Sequence, residues 1–128
     1  MIANTLETTI TTASTPVRVR GTWLSDGFEA LSFTSAGRIT NSSSNSYTLT
    51  VKANYTATCG SSVSAVFILM RNGAEQVTSE TVALSSTRAD GSITASVAIA
   101  PGEFVELWVE NGTNTANITV ADARIEVE

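Results

Sequence analysis

VSAVFILM, residues Val63–Met70, and FVELWV, residues Phe104–Val109, are the stretches that decide how this chain folds. Side chains along a strand point alternately to its two faces. In the first stretch Val63, Ala65, Phe67 and Leu69 therefore share one side, and Val66, Ile68 and Met70 the other. In the second, Val105, Leu107 and Val109 oppose Phe104, Glu106 and Trp108. Both faces are largely apolar or aromatic. A two-layer sheet protein leaves one face of each sheet in water, so such strands need cover on the second face as well. No segment has the helical period that would supply a lid, and the cover expected is another copy of the same subunit.

Around these stretches the chain alternates like a set of half-buried strands. Tyr47, Leu49, Val51, Ala53 and Tyr55 stand against Thr48, Thr50, Lys52, Asn54 and Thr56, the cleanest such run. Val17, Val19 and Trp23 oppose Arg18 and Arg20, and Gly21 allows a bend. Strands are expected at Phe28–Thr34 after a Ser25-Asp26-Gly27 turn, near Ile39, from Gln76 to Leu84, through Ile93, Ala95, Val97 and Ile99, and from Asn117 to Val127. In the last of these the alternation slips around Ala121 to Ala123, the mark of a bulge. Asn72-Gly73, Asp90-Gly91, Pro101-Gly102 and Asn111-Gly112 punctuate the runs, and Asn-Gly is the strongest two-residue hairpin signal. Eight to ten strands at this spacing, without a helix, predict an all-β antiparallel sandwich, most simply a jelly roll.

The 128 residues suffice for one domain, which buries roughly two thirds of its unfolded surface. Residues 16–128 are assigned to it. The first fifteen carry Ile2, Leu6 and Ile10 in a threonine-rich background, and Pro16 closes them off. They read as an N-terminal arm, floppy or laid across a neighbouring subunit with those aliphatics as anchors. Serine and threonine supply over a quarter of the chain, which suits strands with hydroxyl-bearing solvent faces better than helices.

Composition removes whole classes of function. The net charge is −5 with no basic stripe, so nucleic acid is not an expected partner. No membrane span and no secretory leader is read, which places the product in the cytosol where it was made. Cys59 is alone and cannot close an internal disulfide. The N-x-[ST] sites at Asn41, Asn54, Asn111 and Asn117 are expected to be unmodified. Histidine is absent, which takes away the usual base for a serine or cysteine nucleophile and the commonest metal ligand. Lys52 sits in simple alternation and reads as solvent-facing. Glu106 and Glu110 share a strand face about 13 Å apart at ~3.3 Å per residue, too far for a glycosidase pair, which needs roughly 5 to 9.5 Å. A calcium pairing of Glu103 with Asp122 lacks a loop motif, and the eight glycines are dispersed among turns and form no phosphate loop. No enzyme activity, cofactor or metal is expected.

The run Phe67-Ile68-Leu69-Met70-Arg71-Asn72-Gly73, then Pro101-Gly102-Glu103 leading into Phe104–Val109, then a strand near the chain end, resembles the C1q/TNF-like jelly roll. Thr9 to Arg20, Phe33 to Thr40 and Phe104 to Val120 look, more narrowly, like small tailed-phage virion proteins with this domain, in particular capsid decoration or cement proteins. The small-aromatic-Gly-aromatic ending of C1q and TNF domains is not found in Ala121 to Glu128, and there is no collagen repeat. The resemblance implies a homotrimer on the capsid exterior, assembled in the host cytoplasm and partnered by the major capsid protein. On that reading Val66, Ile68, Met70, Phe104 and Trp108 pack at the trimer interface, and Ile2, Leu6 and Ile10 contact the capsid. The alternative is a phage fibre or receptor-binding domain whose loops Asn41–Ser46 and Ser85–Asp90 meet a host glycan or protein.

Overall fold

The computed structural model describes residues 2–24 and 30–128, with the side chains of 2–5 left out, and the described residues form antiparallel strands and no helix. The strands are β1 (Ile2–Thr5), β2 (Glu7–Thr8), β3 (Val17–Arg18), β4 (Gly21–Trp23), β5 (Leu31–Phe33), β6 (Ile39–Asn41), β7 (Tyr47–Cys59), β8 (Val63–Arg71), β9 (Glu75–Leu84), β10 (Ala89–Ile99), β11 (Phe104–Asn111) and β12 (Ile118–Val127). One sheet has the order β10-β7-β12-β2 and the other β5-β6-β11-β8-β9, with β3 also on β11. β1 and β4 make a separate pair. From β6 onward every connection crosses between the two sheets except the β8–β9 hairpin. That path makes the sandwich a jelly roll. The described residues hold twelve strands where eight to ten were expected, because two-residue strands such as β2 and β3 are too short to show a period.

Local chemistry explains the elements. β7 buries Val51, Ala53, Tyr55, Ala57 and Cys59 in strict alternation, against the inward faces of β8 and β11. The Tyr55 ring stacks on Phe67 at 3.7 Å between centroids and 15° between planes. Two aromatics buried face to face contribute a few kcal/mol through area alone, at about 1.5–3 kcal/mol per side chain. Asn72 and Gly73 have φ of 55° and 71°, the left-handed pair that a tight hairpin turn between twisted strands demands. The bulge anticipated near Ala121 is present, as a register shift between Val120 and Asp122 opposite β7. The Ser25-Asp26-Gly27 turn and Phe28 lie outside the described residues, and of the Phe28–Thr34 strand Leu31–Phe33 is β5.

Within the stretch expected as an arm, residues 7–10 pack against the domain. Glu7 and Thr8 pair with Thr119 and Ile118 at the edge of the β12 sheet. The Thr8 hydroxyl oxygen accepts from the Arg20 N–H, and the Ile10 N–H donates to Asn117 Oδ1. Ile10, only 4% exposed, belongs to the core. Three aliphatics spaced four apart carry no strand period, so their burial could not be read locally.

Candidate protein-binding face

The outer face of the larger sheet is where the two double-sided strands lie side by side. β11 and β8 pair with Trp108 opposite Ile68, Glu106 opposite Met70 and Glu110 opposite Val66. On the other side of β11, Arg18 of β3 stands opposite Trp108, Thr40 of β6 stands opposite Phe104, and Arg38 enters from the residue before β6. Glu106 is thus the centre of a small grid, 1% exposed. A carboxylate this deep must be paired and hydrogen-bonded to stay charged. Its Oε2 accepts from Arg38 Nε at 3.2 Å and from Arg18 Nη1 at 3.3 Å, and its Oε1 accepts from the Trp108 indole N–H at 3.2 Å. The Arg38 guanidinium carbon lies over the Phe104 ring, 3.7 Å from its centroid. The cation–π contact and the ion pair together restrain this arginine.

The cover for the second face is thereby found within the chain. Ile68 and Met70, expected at a trimer interface, are buried in the single subunit. Phe104 and Trp108 lean across them toward the β8–β9 turn: a Cβ built on Gly73 would lie 3.9 Å from the Trp108 ring and 4.0 Å from that of Phe104. The rings are the roof, not what the roof shelters. Both remain half-buried, as does Val66, so of the five residues expected at the interface these three still meet solvent. Arg18 and Arg38, 44% and 39% exposed, complete the surface. Neither was singled out from the sequence, because each meets Glu106 across a separation of 88 or 68 residues.

The residues expected at the capsid divide in the same way. Ile10 is corrected to a core residue, packed where β2 and the following turn close over β12. Leu6 is exposed, and the side chain of Ile2 lies outside the described part.

Other candidates resolve into architecture. Cys59 is buried, its thiol directed at the Asn117 carbonyl oxygen 3.3 Å away, so it is out of reach of another subunit. Asn41 and Asn111 have no exposed surface, and their amides tie loops together: Asn41 Nδ2 donates to the Asn45 and Ile99 carbonyls, Asn111 Nδ2 to Ala116 O and Asn114 Oδ1. Neither can carry a glycan in the folded chain. Lys52 is exposed on its strand. Glu103 is committed elsewhere than to calcium. It accepts from the Ala100 N–H at 2.7 Å and from Asn72 Nδ2 at 2.6 Å, bonds which hold its carboxyl below the usual range with help from nearby Arg71. An open groove of about 430 Å³ is lined by the hydroxyls of Ser62, Ser64, Ser85 and Thr113 and by the aliphatic Val63, Ala83 and Leu84, without a charged group.

No protein-family model matches the chain, and no curated protein matches it. Among solved structures it is similar to a carbohydrate-binding module, "CBM4 structure and function", at 17% identity over 71% of this chain and 73% of that one, with a TM-score of 0.49. That is a likeness of architecture and says nothing of a ligand.

Proposed function

We propose that this protein is a virion structural component: a homotrimeric capsid decoration, or cement, protein with a C1q/TNF-like jelly roll that binds across capsid subunits and stabilises the phage head. The observation that carries the self-association is the Phe104–Arg38–Glu106–Arg18–Trp108 face. Trp and Arg, half-desolvated and held rigid, are the residue types that dominate protein interfaces. Rigidity matters because side chains already ordered lose little entropy on binding. Support for the capsid comes from the sequence likeness at Thr9–Arg20, Phe33–Thr40 and Phe104–Val120. The work of such a protein is mechanical. Binding only the assembled, expanded shell stabilises it by mass action, and no catalytic group is required.

The test is the solution mass of the purified protein, followed by mixing with undecorated capsids and measuring heat release of the packaged DNA. Three copies per particle in solution and hundreds per capsid, with a raised rupture temperature, are the expected results. A handful of copies per virion, confined to a fibre, would replace this reading with the receptor-binding one.

A further inference from the structure

The chain contains two Asn-Gly pairs, and the fold treats them oppositely. Asparagine before glycine is the pair most open to deamidation, since glycine has no side chain to shield its backbone nitrogen from the neighbouring amide. At Asn111-Gly112 both partners are tied down. Asn111 has no exposed surface, its Oδ1 accepts from the Thr113 and Asn114 N–H groups, its Nδ2 donates to Asn114 Oδ1 and Ala116 O, and the Gly112 N–H donates to Ser64 O at 2.8 Å. Asn72-Gly73 caps the β8–β9 hairpin, where Asn72 is exposed and, among the described residues, the Gly73 N–H donates to nothing. Here the nucleophile is free and only the electrophile is held: Asn72 Nδ2 donates to Glu103 Oε2 at 2.6 Å, and its Oδ1 accepts from the Phe104 N–H at 3.1 Å.

We infer that Asn72 is a deamidation site and that Glu103 is its brake. The Gly73 nitrogen, on losing its proton, attacks Asn72 Cγ; an N–C bond forms, the bond from Cγ to Nδ2 breaks, and Nδ2 leaves as ammonia. Water then opens the cyclic imide at either carbonyl, leaving an aspartate or an isoaspartate at position 72. To reach the Gly73 nitrogen the side chain must surrender both of its bonds, one of them to a charged acceptor, so the clamp slows the step. The product cannot restore it. A carboxylate in place of the amide has no donor for Glu103 and meets it as a like charge. An isoaspartate adds a backbone atom to a turn that needs left-handed φ at Asn72 and Gly73. Gly73 lies over the two rings of the outer face, a Cβ on it standing 3.9 Å from Trp108 and 4.0 Å from Phe104, so conversion at the hairpin tip uncovers those rings.

Peptide mapping of the full chain, aged in mildly alkaline buffer, reads the reaction site by site. In the folded protein, loss of amide at Asn72 should outrun that at Asn111 by at least about tenfold, and in urea, where both pairs are unfolded, the two should react alike. That comparison needs no mutation. Glu103→Ala, checked for retained β-sheet circular dichroism, should speed the loss at Asn72 by about tenfold and leave Asn111 unchanged. Aged protein, and the variant Asn72→Asp without ageing, should show red-shifted tryptophan emission and a lower urea midpoint. Equal loss at both sites in the folded state, loss at Asn111 first, or an Asn72 rate indifferent to Glu103→Ala would each overturn the inference. Full amide loss at position 72 with the parent's emission and urea midpoint would overturn the structural consequence drawn from Gly73.

Discussion

The Tyr55 hydroxyl donates to Glu80 Oε2 at 2.7 Å, and this one bond spans the sandwich from β7 in one sheet to β9 in the other. The same oxygen accepts from the Ser92 N–H of β10 at 3.1 Å. β9 and β10 are the terminal strands on that side of their sheets, where unpaired backbone groups would invite another chain. Glu80 points inward from one edge and satisfies an N–H of the other. Tyr55→Phe keeps the stack on Phe67 and removes only the hydroxyl, so a loss of about 1.5–3 kcal/mol is expected in urea unfolding, typical for a hydrogen bond to a charged acceptor.

Alkaline pH probes the same bond. Burial, and then the bond and charge of Glu80, push the Tyr55 hydroxyl above its ordinary value of 10.0. An unfolded tyrosine releases its proton near pH 10 while the folded one keeps it, so above that point the unfolded chain binds fewer protons and stability falls as pH rises. Below pH 10 the contribution is fully present. Urea midpoints measured from pH 8 to 11 should drop toward the alkaline end, and the drop should be shallower in Tyr55→Phe.

Gly91 stands directly opposite Tyr55 in the β7–β10 register, and a Cβ there would fall well inside van der Waals contact with the tyrosine ring and hydroxyl. Gly91→Ala must displace the ring from Phe67. A cost of about 2 kcal/mol is expected from overpacking, visible as a lowered melting temperature, and Tyr55→Phe should relieve only part of it.

Glu106→Ala removes the acceptor that Arg18, Arg38 and the Trp108 indole share. Both arginines reach water, so their residual cost is screened and the loss should be about 2 kcal/mol, below the 3–5 of a fully buried pair. Tryptophan emission should shift as the Trp108 ring loses its anchor. An unchanged spectrum and melting temperature would remove Glu106 from the centre of the face.

Asn72 and Glu103 lock the β8–β9 hairpin to the turn before β11: Asn72 Oδ1 accepts from the Phe104 N–H while its Nδ2 donates to Glu103. Because the Ala100 N–H and Asn72 bonds lower the Glu103 pKa, the lock is intact above the ordinary carboxylate value and is lost as pH falls through the lowered one. An NMR titration should show the Ala100 amide proton moving with a midpoint below about 4.3, the unperturbed glutamate value. In Glu103→Gln that transition should vanish.

Much of the architecture was legible because it is written in local period. The alternation of Tyr47–Cys59, the left-handed Asn72-Gly73 turn and the slip before Ala123 each act over a few residues, and each is where the pattern put it. Ile10 was misplaced because a residue between short strands has no period to read. Ile68 and Met70 were correctly placed on the second face but assigned the wrong cover, since the direction in which a tryptophan ring leans is a matter of packing, not of sequence spacing.

By itself the order of residues determined an all-β antiparallel chain, the Asn72-Gly73 and Pro101-Gly102 turns, and the face on which most strand side chains stand, because a two-residue repeat and a glycine's freedom operate within one strand or one turn, while Asp90-Gly91, read as a turn, lies within β10. Only the tertiary structure decided that Arg18, Arg38 and Trp108 converge on Glu106 and that Tyr55 reaches Glu80 across the sandwich. The arginine and tyrosine meetings depend on strand order and register, which bring together residues 25 to 88 positions apart that no local pattern connects, whereas Trp108 reaches Glu106 from two positions along the same strand.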